Sequence, residues 1–405
     1  MTFRELLKKY KDGTLSNKEK LLIERELEKN EAINDYLADE IEKSLVVDSN
    51  RNYEISDKNN TKHNKEIERS IKKTVNKRLA MIVASSVSIV FAIILIIQYI
   101  VSPLVSSQYY NPTKKTSGQR SLQDLVFDLR GITEVSMPGY ITSFNANAVD
   151  LGFGNYNLTF QSQDLFTREK KTGNTQLIKG RHTAFFEDFY PYHYSAFSEF
   201  GDDEEGTNRY YSTLEIKKHF SEREIEHVKD LPSTSYISAW ARFTNDLTME
   251  ELYKVMSTYR DINFKWIAVR TAKKQGQQLM GFLTDNNIES STDSVDKEKY
   301  PGFQLTDIWN LSGSTPPEVQ MSKIYETHFI SLLKYLVDRH QAVDAILPMS
   351  INYDYESALN FVEKNGISTY GVLLYGEAAD LLELYESGVI MTIDIDNVIV
   401  SKYIH

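Results

Sequence analysis

Three groups of side chains have the types and spacing that chemistry would require. Asp394 and Asp396 alternate along a strand-like stretch and so share one face, the arrangement of a paired-carboxylate site. Edge strands carry such charges against aggregation, which is the plainer reading. In FFEDFYPYHYSAFSEFGDDEEG, from Phe185 to Gly206, Asp188 and His193, with His182 just before, stand among crowded aromatics and lead into Asp202, Asp203, Glu204 and Glu205. These acids lack the alternation of a calcium loop and the histidines lack the H-E-x-x-H spacing of a zinc helix, so the segment reads as a solvated acidic loop. His328 follows Ile324 and Tyr325 and precedes Phe329 and Leu332 on an apolar helix face, the setting of a satisfied core histidine.

Nucleophilic and cofactor chemistry have no foothold in the sequence. It has no G-x-S-x-G elbow, no P-loop and no dinucleotide fingerprint, and its cysteine count is 0. Without cysteine there is neither a disulfide framework nor a thiolate zinc site. The expectation is therefore a protein that is not an enzyme, with no catalytic residue, no metal and no cofactor.

The stretch that must position everything else runs from Leu79 to Val101, LAMIVASSVSIVFAIILIIQYIV, without a charge. At ~1.5 Å per residue it spans roughly 34 Å as a helix, enough for a ~30 Å hydrocarbon core. It starts too late and runs too long for a cleaved signal peptide. Lys58, Lys62, Lys65, Arg69, Lys72, Lys73, Lys77 and Arg78 precede it, whereas only Lys114, Lys115 and Arg120 follow closely. The positive-inside bias then puts residues 1–78 in the cytoplasm and 102–405 outside, a single-pass protein of the cell membrane. Ser85, Ser86 and Ser88 make a locally weak stretch of the span where intramembrane cleavage is conceivable, so a regulatory protease is a partner of this reading.

The chain has 405 residues, a net charge of -11 and 12% aromatic residues. The negative balance lies after the span, which argues against nucleic acid as a partner. Ahead of the span, two T/S-x-x-E boxes, at Thr2 and Ser16, open short helices, and a third helix begins near Glu31. Their apolar positions include Leu6, Leu7, Tyr10, Leu21, Leu22, Leu27, Ile33, Tyr36, Leu37 and Ile41. So small a module cannot close a full core, and the stripes are expected to bury against a cytoplasmic partner.

The stretch LLKKYKDGTLSNKEKLLIERELEKNEAINDYL resembles the N-terminal domain of membrane-anchored anti-sigma factors. Tyr10, Asp12, Gly13, Leu15, Ser16, Glu19, Ile23, Glu24 and Leu27 fall on its pattern. Glu26 stands where that pattern has its histidine, and Asn30 and Ile33 stand at its two cysteine positions, so the resemblance excludes the zinc. Later, YISAWARFTNDLTMEELYKVMSTYRDINFKWIAVR and ALNFVEKNGISTYGVLLYGEAADLLELYE resemble the C-terminal domain of the sigma factor regulator family of Firmicutes. The resemblance implies an anti-sigma factor that holds a sigma factor of the extracytoplasmic function type through its cytoplasmic helices and answers to envelope signals outside. The competing reading is a cell-surface binding protein or anchored envelope enzyme with no transcriptional role.

Beyond the span, Pro103 and Pro112 are expected to stop the helix and open a polar stalk. A short helix over Leu122–Leu129 follows, then strands around Tyr140–Phe160. After Pro232 come a strand through Phe243, a T-x-x-E helix at Thr248 and a central strand Phe264–Val269. Then follow the helix carrying His328, a helix stopping at Asn365-Gly366 in the left-handed conformation, and strands Thr369–Tyr375 and Val389–Ile395. The expected fold class is α+β. The expected divisions are a helical module 1–47, a polar then basic linker 48–78, the span 79–101, a stalk 102–120, a β-rich lobe 121–215 and an α+β domain 230–405.

Overall fold

The computed structural model describes residues 32–37, 60–115, 122–182, 213–273, 278–285, 295–308, 317–347 and 353–400, with Lys20, Arg25, Glu28 and Lys29. The chain divides into two units, Met1–Ser88 and Ile89–His405. Among the described residues the fold is mixed helix and sheet, with one helical stretch, Arg69–Ser106, long and apolar enough to cross a membrane and with none of its apolar window buried.

Helix α1, Asn60–Ile96, carries the basic run straight into the apolar stretch. No proline or glycine interrupts it, and the linker expected over 48–78 is helical from Asn60. The hydroxyls of Ser85 and Ser86 both donate to the Ile82 carbonyl and that of Ser88 to Ala84, which folds these polar groups back into the helix. A π-helical turn, Ile97–Val101, and a short helix α2, Ser102–Ser106, continue it. Pro103 does not stop the helix. It occupies the first turn of α2, where no backbone N–H is required of it.

Helix α3, Asp124–Ser136, runs past the end expected at Leu129 and through Gly131. A Cβ on Gly131 would sit 3.4 Å from both Leu336 and Phe303, so the small residue allows a close helix approach rather than a break. Five antiparallel strands follow: β1 Tyr140–Thr142, β2 Asn147–Gly152, β3 Asn155–Asp164, β4 Lys170–Ile178 and β5 Arg181–His182. β3 is the axis of this sheet, pairing with β4 and with both β1 and β2. Tyr156, Leu158 and Phe160 are buried while Asn157 and Thr159 are exposed, the alternation of a sheet with one wet face.

Helix α4, Thr213–Asp230, leads into a second antiparallel sheet ordered β10-β6-β9-β7-β8. Its strands are β6 Tyr236–Thr248, β7 Asn263–Val269, β8 Gly281–Leu283, β9 Ser368–Glu377 and β10 Ile390–Ile399. The helices α5 Met249–Thr258, α6 Leu305–Ile308, α7 Pro317–Asp338, α8 His340–Ile346, α9 Tyr355–Asn365 and α10 Ala378–Glu386 lie between them. Thr248 caps α5 as its T-x-x-E box requires, donating to and accepting from Glu251. α9 stops at Gly366 with φ 80° and ψ 175°, a glycine-favouring extended conformation rather than the left-handed helical one.

The second sheet is buried on both faces. Ile237, Ala239, Ala241 and Phe243 of β6 join the main core, while Trp240 lies on the opposite face with Trp266, Tyr370 and Leu373. Phe166, from the β3–β4 turn, covers that opposite face, stacked on Tyr236 with ring centroids 5.7 Å apart. Leu125, Phe127, Leu158 and Phe160 share one core cluster with Phe264, Phe282 and Leu333. The two regions expected as a β-rich lobe and an α+β domain are thus packed together because each covers apolar surface of the other.

Gly281 is the tightest point of the second sheet, since an added Cβ would overlap the Ile267 carbonyl oxygen and the Trp266 ring. Gly281→Ala should destabilise the protein by about 1–3 kcal/mol, read as a lower melting temperature of the detergent-solubilised chain. An unchanged melting temperature would contradict the packing described.

Candidate functional site

Of the residues expected to bind a partner, Ile33, Tyr36 and Leu37 lie in the helical segment 32–37 and are 56%, 66% and 50% exposed. Their i, i+3, i+4 spacing puts three large apolar side chains on one stripe in water. Leu6, Leu7, Tyr10, Leu21, Leu22, Leu27 and Ile41 lie outside the described residues, as does the aromatic and acidic segment 185–206.

Within the second unit, the chain leaving the apolar helix is fastened to the α+β body rather than forming a free stalk. Ser102 Oγ accepts the backbone N–H of Phe153 at 2.9 Å, and Ser106 Oγ accepts that of Gly154 at 2.8 Å. The β2–β3 turn can come this close because Gly152 and Gly154 both have positive φ and no side chain. A Cβ on Gly154 would lie 2.6 Å from the Tyr109 ring.

Four positions further on, Tyr110 reaches the centre of the clamp. Its hydroxyl donates to Asp128 Oδ2 at 2.6 Å, and that of Tyr335 donates to Oδ1 at 2.8 Å. Arg339 closes the set side-on, Nε to Oδ1 at 2.7 Å and a terminal nitrogen to Oδ2 at 2.6 Å, with its other terminal nitrogen 3.4 Å from Asp124. The Asp128 side chain is fully buried, and four donors replace its lost hydration. Burial, reinforced by the Asp128 charge, pushes the phenols of Tyr110 and Tyr335 well above their ordinary range, so both remain donors. A groove of about 1220 Å³ opens beside the clamp, lined by Tyr99, Ser102, Lys114, Phe153, Arg339 and His340 among others.

A second buried polar pair ties α3 to α7. His328 Nε2 lies 2.7 Å from Glu134 Oε1 and Nδ1 lies 2.6 Å from the Gly302 carbonyl oxygen, so both ring nitrogens face acceptors. Burial works to lower the His328 pKa. The Glu134 charge and hydrogen bond and the Gly302 carbonyl outweigh it, and the imidazole is raised above its ordinary value. His328 is a core histidine, as its apolar helix face suggested. Asp394 and Asp396 lie on edge strand β10, where Asp396 accepts from Ser238 at 3.0 Å.

The clamp escaped the sequence reading because it joins positions 18 and 211 residues apart. One local signal exists: Asp124 and Asp128 stand at i, i+4 beside Leu125, Phe127 and Leu129, and two acids on a buried helix face require cations or donors to replace their water.

Residues 228–397 match the family model described as the sigma factor regulator C-terminal domain. No curated protein and no solved structure matches the chain. The matched region covers the second sheet from the end of α4 to β10. That part of the chain, less than half of it, is similar to the C-terminal domain of sigma factor regulators.

Asp128→Ala leaves Arg339 and two phenols without their acceptor and should cost about 3–5 kcal/mol, seen as a large drop in melting temperature. A drop no larger than that of an exposed control such as Thr172→Ala would argue against the clamp. The His328 pair makes a pH prediction. With its folded pKa raised, its contribution is fully present below the unfolded value of about 6.5 and is lost as pH rises through the folded pKa. Wild type should therefore exceed Glu134→Gln in melting temperature at acid pH by more than at alkaline pH, and a constant gap would refute the protonated pair.

Proposed function

We propose that the protein is a single-pass membrane anti-sigma factor that sequesters a sigma factor of the extracytoplasmic function type through its cytoplasmic N-terminal helices and responds to envelope signals through its C-terminal body. The match of residues 228–397 to the sigma factor regulator C-terminal domain is the observation that carries this reading. The apolar helix Arg69–Ser106 and the exposed Ile33, Tyr36 and Leu37 stripe support it, the first as an anchor and the second as a surface that a partner would cover. The Lys and Arg excess ahead of the helix favours a cytoplasmic N-terminus.

Sequestration on this reading is mass action. The N-terminal module, residues 1–47, competes with RNA polymerase for the sigma factor, and transcription rises when that affinity falls or the module is lost. The helix-to-body clamp gives an outer stimulus a firm hold on the end of the span. Release could equally follow cleavage within the span by a regulatory protease, with the cytoplasmic fragment as its product.

Deleting residues 1–47 should switch on one sigma-dependent set of genes, whereas an anchored binding protein or envelope enzyme would leave transcription unchanged. Full-length protein should capture a sigma factor in pull-downs. The double variant Tyr36→Ala, Leu37→Asp should reduce that capture by about tenfold or more, as expected when anchors of an amphipathic helix are removed. Undiminished capture would remove the stripe from the interface.

A further inference from the structure

The exposed apolar side chains of the first sheet are gathered at one end. Val149 and Leu151 of β2, Phe153 of the β2–β3 turn and Ile178 at the end of β4 are 52%, 50%, 38% and 46% exposed. Further along the same strands the exposed positions turn polar: Asn157 and Thr159 on β3, Thr172 and Asn174 on β4. The apolar end is the one hydrogen-bonded to Ser102 and Ser106.

The depth of that end follows from the helix. Arg78 is the last charge before an uncharged run that reaches Thr113. About 20 helical residues cross the hydrocarbon, so the helix emerges near Tyr99, and Ser102 stands roughly one turn beyond it, in the headgroup layer. The β2–β3 turn touches Ser102 and lies in the same layer. Tyr99, 71% exposed, has the amphipathic ring favoured at that depth.

The conformation of the turn fits a presenting role. Phe153 is held at φ 57°, an unusual value for an aromatic residue, and its ring remains partly in solvent instead of joining the core. Asp150, exposed between Val149 and Leu151, accepts the Gly152 N–H of its own turn at 2.7 Å. Lys179 on the adjoining β4–β5 turn and Arg181 at the start of β5 are exposed and supply cations beside the apolar tips.

We infer that the β2–β3 and β4–β5 turns form a second membrane contact, inserting Val149, Leu151, Phe153 and Ile178 into the headgroup region of the leaflet from which the span emerges, with Lys179 and Arg181 on lipid phosphates. The body would then rest on the bilayer at two points, the span and the turns. The inference rests on the reading of Arg69–Ser106 as a membrane span.

The absence of natural cysteines makes a clean test possible. Full-length single-cysteine variants Leu151→Cys, Thr172→Cys and Ile93→Cys, each carrying an environment-sensitive fluorophore, are reconstituted in mixed phosphatidylcholine and phosphatidylglycerol vesicles with nitroxide lipids at shallow or deep positions. The expected result is deep quenching at position 93, severalfold stronger shallow than deep quenching at position 151, and almost none at position 172. Quenching at 93 with 151 as silent as 172 would overturn the second contact while leaving the span intact. Absence of quenching at 93 would overturn the span and the inference with it.

Discussion

The buried carboxylate of Asp128 is the constraint on which the second unit depends. A charge with no exposed surface is tolerable only when donors replace its water, and here they come from two distant parts of the chain: Tyr110 just past the apolar helix, and Tyr335 with Arg339 one turn later at the end of α7. The partners span the chain from the helix exit to the end of α7. The electrostatic requirement of one side chain therefore fixes where the emerging chain meets the body, and Ser102 and Ser106 extend that hold back into the last turns of the apolar helix.

The second buried pair repeats the logic nearer the centre. Glu134, two turns beyond Asp128 along α3, gives one carboxylate oxygen to His328 and 3.3 Å from it has the Leu283 N–H, while its backbone carbonyl accepts the Trp266 indole N–H at 2.7 Å. One helix thus reaches the α7 helix through two carboxylates and the second sheet through a third set of bonds. The sheet itself carries no reactive constellation among the described residues, and its two apolar faces are covered by helices and by Phe166. Such a body is suited to holding shape and passing strain between its surface and its attachment point.

Elements announced by a repeating pattern were legible in the sequence. The alternation of Tyr156, Leu158 and Phe160, the T-x-x-E box at Thr248 and Phe264–Val269, apolar apart from Lys265, each name a local structure whose physical cause is local. Pro103 misled because it was weighed by its cost to a helix interior, whereas it falls in a first helical turn that has no bond to lose. The helix expected to end at Leu129 runs on through Gly131, which admits Leu336 and Phe303 at close range. Pairings such as Tyr110 with Asp128, or His328 with Glu134, are set by tertiary approach across many residues, and no local pattern encodes them beyond the misplaced acids themselves.

The central claim is that the end of the apolar helix and the α+β body form one mechanical piece. Amide hydrogen exchange of the full-length protein in lipid nanodiscs tests it at Phe153 and Gly154, whose N–H groups end on Ser102 and Ser106. The account predicts protection approaching that of the β3 core amides, and its loss in the Ser102→Ala, Ser106→Ala double variant. Exchange at the rate of an open surface turn in the unaltered protein would contradict it.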